Sequence, residues 1–297
     1  MSAALESAVL DPACALCGSR ERRTRFKEGE HAIVTCTECD LTYVTPRMTA
    51  ELLLSAVYDA DYWHSARPRE RGYADYLADR ALHERTFRRR WRGIRRHAPR
   101  TGRALDLGCA DGAFLAVLRE VGWQVQGVEP TAMAAAARER LGDDAILQVP
   151  IELLRLPDAH YDLITLWDVL EHLPDPVACL KSAREWLRPD GLLVLETQDV
   201  RSFAARVFGR RWHHYKHAEH LHHFHADTLK RALRESGFEI VERRRGLAGK
   251  HVRGSFVAER AARVSPALSR ALHRLLPADR ALYVNLFDEL IVTARPR

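Results

Sequence analysis

Long apolar segments are missing from this sequence. No uninterrupted apolar run in its 297 residues approaches the ~20 residues that a membrane-spanning helix needs. Residues 1–11 lack the basic stretch followed by an apolar stretch that marks a secretory signal. The sequence also contains no repeat and no low-complexity tract. We therefore expect a soluble, cytoplasmic protein without a membrane span.

A strong charge of one sign is missing as well. The formal net charge is +6, a modest excess that favours contact with a polyanion or an acidic substrate without establishing either. The composition, 46% hydrophobic and 29% charged, is that of a globular protein. A chain of this length accommodates one domain of ordinary size and a smaller attachment.

Cysteines are few, and four of the six lie within 26 residues of one another. They form two Cys-x-x-Cys pairs separated by 18 residues, namely Cys14, Cys17, Cys36 and Cys39. Zinc prefers four soft ligands in a tetrahedron, and each pair can hold one side of the ion. Because four thiolates leave no open coordination position, the pattern predicts a structural Zn²⁺ in a reducing compartment, and not a disulfide framework.

Three regions follow one another along the chain. Residues 10–47 hold the cysteine pairs and β-like stretches, which predict a zinc ribbon-like module. Residues 48–99 predict a helical linker that helps to cover a cofactor. In residues 100–297, strand-like runs alternate with helix-periodic segments, as in a parallel sheet with crossover helices. The predicted strands of this third region are 104–107, 124–129, 145–149, 161–167, 192–196, 238–242 and 289–294. We expect an α/β fold with a Rossmann-like, doubly wound sheet of seven strands.

A glycine turn follows the first of these strands. Residues 105–112, LDLGCADG, end the strand and open a helix. Gly108 and Gly112 let the backbone turn sharply and approach a ligand closely. About 20 residues later the second strand ends in Glu129, where a carboxylate can accept hydrogen bonds from two ribose hydroxyls. The spacing of the two glycines differs from the G-x-G-x-x-G fingerprint, which argues against a dinucleotide.

Taken in order, these segments resemble the motifs of class I S-adenosylmethionine-dependent methyltransferases. Residues 105–112 resemble the first motif and 127–129 the second. Residues 161–173, YDLITLWDVLEHL, resemble the family's fourth strand with its loop, and residues 188–194, RPDGLLV, its approach to strand five. The resemblance implies a methyltransferase with S-adenosyl-L-methionine as cofactor. It also implies the cofactor-binding residues Asp106, Gly108, Cys109, Gly112, Glu129, Ile151, Trp167 and Asp168.

The resemblance assigns roles to some of these residues. Asp106 is expected to act near the methionine amino group, either directly or by fixing the loop. Asp168 follows strand four, where the methionine part of the cofactor would pass; capping of the next turn is an equal alternative. Two positions depart from the family. Ala110 stands where a middle glycine is frequent. In residues 149–152, where many relatives have an acid that contacts the adenine amino group, Ile151 would supply backbone and apolar contacts instead.

Histidine is concentrated in one segment, since seven of the 15 histidines lie between His213 and His225. We call residues 210–224 the lid segment, because the connection after strand five lies at the carboxyl edge of the sheet, beside the cofactor. Methyl transfer to a hydroxyl requires removal of a proton, which a neutral imidazole can perform near pH 7. The lid segment is therefore the predicted acceptor-binding element.

The lid segment resembles that of methyltransferases from bacterial saccharide and secondary-metabolite pathways, which often carry an N-terminal four-cysteine module. The similar residues are Trp212, His213, His214, Tyr215, Glu219, His220, Leu221 and Phe224. The resemblance implies His220 as the general base, with His214 and His172 as the next candidates. Glu219 would hold the base's tautomer or stabilise its protonated form. The implied acceptor is a small or saccharide-like molecule, methylated on oxygen before carbon or nitrogen.

Other interpretations stay open. Eight arginines in residues 85–100, with Phe87 and Trp91 among them, are typical of a solvated helix face. They are also compatible with nucleic acid binding, since zinc modules occur on rRNA methyltransferases. The histidines are alternatively a surface loop or a fortuitous metal-binding patch. A non-catalytic cofactor-binding or interaction module is a further alternative. Nothing in the sequence predicts the oligomeric state.

Overall fold

The structure is a computed structural model, and it describes residues 9–49, 52–53, 60–65, 75–216, 218–262 and 265–297. Parts of the predicted helical linker, in particular residues 54–59 and 66–74, lie outside the described residues.

The strands of the described residues are numbered in chain order. They are β1 (Val9–Leu10), β2 (Arg22–Glu28), β3 (His31–Cys36), β4 (Thr42–Thr45), β5 (Arg47–Met48), β6 (Arg103–Leu107), β7 (Gln124–Val128), β8 (Ile146–Leu147), β9 (Tyr161–Trp167), β10 (Leu187–Gln198), β11 (His222–His223), β12 (Phe238–Arg244), β13 (Lys250–Arg253), β14 (Ala281–Val284) and β15 (Glu289–Pro296).

The α-helices are α1 (Ala60–Trp63), α2 (Arg80–Ile94), α3 (Ala113–Glu120), α4 (Ala134–Leu141), α5 (Pro176–Trp186), α6 (Phe203–Phe208), α7 (Ala226–Glu235), α8 (Gly254–Ala261) and α9 (Pro266–Leu275). Among the described helices, none combines the length and the apolar character needed to cross a membrane.

Seven strands form the main sheet, in the order β12-β15-β10-β9-β6-β7-β8. The five strands from β10 to β8 are parallel, and β15 pairs antiparallel with both β10 and β12. The parallel strands β6, β9 and β10 are almost wholly buried, because helices cover both faces of such a sheet. The predicted α/β fold with seven strands is confirmed. All the parallel strands end at the same edge, where a ligand is expected.

Observed boundaries differ from the predicted ones at some elements. The third predicted strand shrinks to the two residues of β8, and the fifth lengthens into β10. The hairpin of β13 and β14, and the helices α8 and α9, carried no strand or helix prediction. These elements lie between the sixth and seventh strands of the sheet as an insertion.

A second sheet joins the cysteine-bearing region to the lid segment. Its four strands lie in the order β11-β4-β3-β2, all antiparallel. Strand β11 comes from the end of the lid segment, and its residues His222 and His223 pair with Tyr43 and Thr42 of β4. The N-terminal region therefore supplies the surface on which the lid segment is held.

The arginine-rich helix α2 buries its aromatic residues. The rings of Phe87 and Trp91 contact Phe114, at 5.4 Å and 6.5 Å between centroids. Arg90 is buried, and Arg88 forms an ion pair with Glu120. The two aromatic rings therefore pack against the main sheet's helices, whereas Arg85, Arg89 and Arg92 lie exposed on the outer face of α2.

Candidate cofactor and acceptor site

The four N-terminal cysteines converge. The Sγ atoms of Cys14 and Cys39 are 3.3 Å apart, those of Cys17 and Cys36 are 3.5 Å apart, and all four lie within 4.8 Å of one another. A tetrahedral zinc with sulfur ligands at about 2.3 Å would separate the sulfurs by roughly 3.8 Å. A disulfide would bring two of them to ~2.0 Å. This donor set therefore fits a zinc ion.

The loop between β6 and α3 makes the expected sharp turn. Gly108 and Gly112 have left-handed backbones, with φ of 72° and 73°. A Cβ atom on Gly108 would lie 2.6 Å from Cγ2 of Val169, so this glycine also permits close contact with the loop after β9. The backbone N–H groups of Gly108 and Cys109 both donate to the carbonyl of Val128, which ties the loop to the end of β7.

Cys109 and Ala110 lie between these glycines and differ in side-chain burial and backbone conformation. The Cys109 thiol is buried, and a Cβ atom on Gly127 would lie 2.6 Å from its Sγ. The backbone of Cys109 is therefore the part that a cofactor would meet. Ala110 has a left-handed backbone with φ of 47°, which costs an L-residue roughly 1 kcal/mol. That conformation gives a physical reason why glycine is frequent at this position in the family.

Glu129 lies just after β7, and its carboxylate faces the loop. Oε2 accepts a hydrogen bond from the Ala110 backbone N–H at 2.9 Å, and Oε1 accepts one from Thr131 at 3.0 Å. Burial raises the pKa of Glu129, although these donors oppose the shift. Each oxygen keeps a further lone pair for a hydroxyl. The acceptor set at the end of β7 therefore fits the ribose of S-adenosylmethionine.

Asp106 is placed inside the sheet. Its side chain accepts a hydrogen bond from Oγ1 of Thr165 on β9 at 2.6 Å, and burial raises its pKa to about 8. This geometry supports the role of fixing the loop. Direct contact with the methionine amino group stays a prediction.

Asp111, the residue before Gly112, was not singled out in the sequence. Its side chain is buried, accepts from Arg80 Nε at 3.1 Å, and accepts from the backbone N–H of Ala113 at 3.2 Å. An acid directly before a helix is a capping signal that could have identified it. Since Arg80 begins α2, the linker region contacts the cofactor loop through this pair.

Trp167 and Ile151 lie at the carboxyl ends of β9 and β8. The Trp167 ring is buried against Phe114 and Phe87, with centroids 5.0 Å and 5.5 Å away. Ile151 is buried at the start of a short 3₁₀ turn. Their contacts with the cofactor stay predictions.

An ionic cluster lies at the carboxyl ends of β9 and β10. Asp168 accepts from Nζ of Lys250 at 2.8 Å, and the same ammonium donates to Glu289 at 2.9 Å. Burial opposes ionisation of Asp168, but Lys250 outweighs it and lowers the pKa of the carboxyl. Glu196, at the end of β10, pairs with Arg90 at 2.6 Å. Oxygens of the three acids lie within 4.8 Å of one another.

Besides Asp168 and Arg90, this cluster contains three residues that were not predicted from the sequence. Glu196 carried one signal, because it is the polar end of predicted strand five, at the edge where ligands bind. Lys250 and Glu289 belong to distant segments, and no spacing rule connects them to β9 or β10.

His220 is buried in the lid segment. Its ring lies 4.7 Å from that of His172, and one of its nitrogens lies within 4.8 Å of the Glu171 carboxylate. The amide Nε2 of Gln198 is 3.4 Å from Nδ1 of His220, and the backbone of His214 forms a hydrogen bond with the ring. Burial lowers the pKa of His220 well below its ordinary value, so the ring is neutral near pH 7.

The carboxylate of Glu219 is engaged by two neighbouring side chains, and its role beside the base stays a prediction. Its carboxylate accepts from Lys216 Nζ at 3.1 Å and from the hydroxyl of Tyr62 at 3.2 Å. Its backbone carbonyl lies 2.9 Å from Nδ1 of His172. The carboxylate grouped with His220 is Glu171, which sequence analysis did not select. Glu171 lies in the segment after β9, immediately before His172 in the sequence. Its position next to a candidate base is the signal that could have identified it.

The ring of His214 is 5.8 Å from that of His220, and the two ring planes are inclined by 27°. Its Nε2 is 3.5 Å from Glu289 and 3.6 Å from Asp288. Burial lowers the pKa of His214 well below its ordinary value. The three predicted histidines are thus brought together, next to the ionic cluster.

Comparison with known proteins identifies the domain. A family model described as a methyltransferase domain matches residues 60–243. The ubiquinone biosynthesis O-methyltransferase of Cereibacter sphaeroides strain KD131 is 28% identical over 154 residues, which cover 48% of this chain and 62% of that protein. The Nitrosospira multiformis protein of the same name is 27% identical over 173 residues, covering 50% of this chain and 68% of that protein.

Solved structures share the fold. A complex of the Haloferax volcanii Trm112 methyltransferase activator with a methyltransferase has a TM-score of 0.52 at 16% identity, covering 74% of this chain and 94% of that chain. The YcgJ protein of Bacillus subtilis has a TM-score of 0.50 at 14% identity, covering 72% and 98%. At these identities the likeness concerns the fold.

The family model spans more than half of the chain, so the chain belongs to the methyltransferase domain family. The predicted class, an S-adenosylmethionine-dependent methyltransferase, is confirmed. The chain spans 62% of the length of the Cereibacter relative.

Proposed function

We propose that this protein transfers a methyl group from S-adenosylmethionine to a hydroxyl oxygen of a small, saccharide-like acceptor, with His220 as the general base. The observation that carries the proposal is the neutral, buried histidine cluster of the lid segment beside Glu171, at the edge of the sheet that holds the glycine loop. The relatives named as O-methyltransferases support oxygen as the methylated atom.

The cofactor would be held by the residues that end β6 and β7. When bound, it supplies the electrophilic methyl group. Glu129 would accept hydrogen bonds from the ribose hydroxyls, and the backbone of residues 108–112 would follow the amino-acid part. Asp106 fixes the start of the loop through Thr165. Asp168, held by Lys250, lies directly after β9 and next to this loop.

His220 would take the proton of the acceptor hydroxyl at Nδ1. The Gln198 N–H that faces Nδ1 is 3.4 Å away, a long contact that a hydroxyl can replace. Burial lowers the pKa of His220, so the ring is unprotonated near pH 7 but is a weaker base than a free imidazole. His172 and Glu171 position the ring, and the Tyr62–Glu219 contact holds the lid segment against the linker.

The other two interpretations are less well supported. An RNA site that stacks bases would require exposed aromatic rings on the basic helix, whereas Phe87 and Trp91 pack against Phe114 and the solvent-facing side of that helix carries arginines. A non-catalytic module would not need three histidines gathered at the cofactor edge. Zinc, held by the four cysteines, would be structural, because thiolates fill all its positions.

The test is a comparison of His220→Ala with His273→Ala, an exposed histidine on α9. Turnover is measured as S-adenosylhomocysteine released with a panel of hydroxylated saccharides, and cofactor affinity by calorimetry. We expect His220→Ala to lower turnover by at least about 100-fold with little change in cofactor affinity, since general base catalysis contributes on that order. Equal losses of turnover and affinity would refute the role of base. Cofactor binding without turnover on any acceptor would favour the non-catalytic module.

A further inference from the structure

A basic cavity lies between the cysteine-bearing region and the main sheet, outside the site described above. Its volume is about 450 Å³, within the range of small-ligand pockets. Six of its lining residues carry ionisable side chains: Arg23, Arg25, Asp40, Arg201, Arg206 and His225. Four guanidinium groups against one carboxylate leave a local excess of positive charge, which favours an anion.

Asp40 neutralises part of this charge. It forms an ion pair with Arg201 and lies 3.9 Å from Arg23, and Arg201 is also 3.5 Å from Asp227. Arg25 contacts a hydroxyl, that of Thr42, at 3.5 Å. Within the part of the chain that the structure describes, no carboxylate pairs with Arg25 or Arg206. These two arginines are therefore available to a ligand.

His225 adds a buried donor to the same cavity. The side chain is 3% exposed, and its Nδ1 accepts a hydrogen bond from the backbone N–H of Asp227 at 3.3 Å. The neutral ring therefore carries its hydrogen on Nε2. Nε2 is buried and has no hydrogen-bond partner among the described residues, and Oδ2 of Asp40 lies beyond hydrogen-bond distance at 3.9 Å. A buried donor without a partner costs free energy, and an anion in the cavity would satisfy it.

The cavity is connected to the lid histidines through β11. His223 pairs with Thr42, which lines the cavity, so the two side chains lie on the same face of the small sheet. The ring of His223 is 6.3 Å from that of His220. His225 follows His223 by two residues on extended backbone, so it lies roughly 7 Å further along the chain. The candidate base and the cavity are therefore near neighbours, linked through the buried residue His223.

We propose that this cavity binds a phosphate or diphosphate group carried by the methyl acceptor. The inference rests on the proposed function and specifies its acceptor as a phosphorylated molecule. Guanidinium groups suit this role because their planar fork pairs with two phosphate oxygens. Since β2 and the turn before β4 supply Arg23, Arg25 and Asp40, the cysteine-bearing region contributes directly to substrate binding.

The test uses calorimetry on the full chain, loaded with zinc and S-adenosylhomocysteine. The probes are glucose 1-phosphate and inorganic phosphate. The variant is the double substitution Arg25→Gln and Arg206→Gln, and the matched control is Arg270→Gln, an exposed arginine of α9. We expect saturable binding of the sugar phosphate, at least as tight as that of inorganic phosphate. The double variant should weaken it by at least about tenfold, the size expected for charged hydrogen bonds, while the control leaves it unchanged.

Several results would overturn the inference. The first is equal sugar-phosphate affinity in the wild type and the double variant. The second is binding of inorganic phosphate without binding of the ester, which would assign the cavity to the free anion. The third is displacement of the probe by a short RNA with a steep dependence on salt. If S-adenosylhomocysteine binds and the sugar phosphate does not, this inference fails alone; if S-adenosylhomocysteine does not bind, the proposed function fails.

Discussion

Arg90 and Glu196 form a salt bridge in the interior of the protein. Nη2 of Arg90 lies 2.6 Å from Oε1 of Glu196, and their side chains are 3% and 0% exposed. The bridge joins helix α2 of the linker region to the carboxyl end of β10, beside Asp168 and Glu289. A guanidinium that sequence patterning assigns to a solvated face thus supports the floor of the candidate site.

Removal of one partner of this bridge should be costly. We predict that Arg90→Met lowers the free energy of unfolding by about 3 kcal/mol, because burial already raises the pKa of Glu196 and the substitution removes the cation that pairs with it, leaving, among the described residues, only Lys250 nearby. The measurement is urea unfolding, with the exposed Arg92→Met on the same helix as the control. Adding Glu196→Gln to Arg90→Met should recover most of the loss. A loss no larger than that of Arg92→Met would contradict the structural role of the bridge.

A second prediction concerns the left-handed backbone of Ala110. Replacement of Ala110 by glycine should raise the free energy of unfolding by about 1 kcal/mol, because glycine adopts positive φ without steric cost. Ala135→Gly, within helix α4, is the matched control and should be destabilising by a similar amount. Thermal unfolding followed by circular dichroism measures both. A destabilised Ala110→Gly protein would argue against the observed loop conformation.

Zinc removal tests the link between the two sheets. We expect one zinc per chain in the purified protein, and none in Cys36→Ser. Chelation should disturb β4, and with it β11 and the lid segment, whose Trp212 is buried and donates to Asp288 at 2.8 Å. The expected readout is a shift of tryptophan emission to longer wavelength. Affinity for S-adenosylhomocysteine should change by less than about tenfold, or ~1.4 kcal/mol, since β6 and β7 lie in the other sheet. If the purified protein contains no zinc and its tryptophan emission does not change on chelation, the assignment of a zinc site is contradicted.

A pH-dependent stability difference is expected from His223. Burial lowers its pKa to about 3, whereas the unfolded chain should titrate near ~6.5. Between these values the unfolded state binds more protons, so the contribution of His223 to stability is present above ~6.5 and decreases as the pH falls. As the pH is lowered from ~6 to ~5, the free energy of unfolding of the wild type minus that of His223→Gln should therefore fall, at a rate approaching about 1.4 kcal/mol per pH unit. Urea unfolding at several pH values measures it, and parallel curves would contradict the burial of a neutral His223.

Local sequence patterns predicted the parts of the fold that depend on local order. Residue spacing in the sequence predicts the strand, turn and helix around Gly108 and Gly112, and also the acid Glu129, because neighbouring residues determine these features. The predicted cysteine cluster also forms, since each Cys-x-x-Cys pair is a local unit. These elements carry the family resemblance.

The remainder depends on contacts between distant segments. Lys250 reaches Asp168 from a hairpin without a clear periodic pattern, and Glu171 becomes the carboxylate near His220 only because the lid segment folds over the β9 loop. Glu219 is adjacent to His220 in sequence, yet its carboxylate is drawn to Tyr62 and Lys216. Adjacency in a loop does not determine where a side chain points.

S-adenosylmethionine is expected to bind across the ends of β6 and β7. Calorimetric titration of the zinc-loaded protein with S-adenosylhomocysteine measures this binding. We predict one site per chain, weakened at least about tenfold by Glu129→Ala through loss of charged hydrogen bonds, and unchanged by Glu139→Ala on exposed helix surface. Absence of binding to the folded wild type, or equal affinity in Glu129→Ala, would contradict the account.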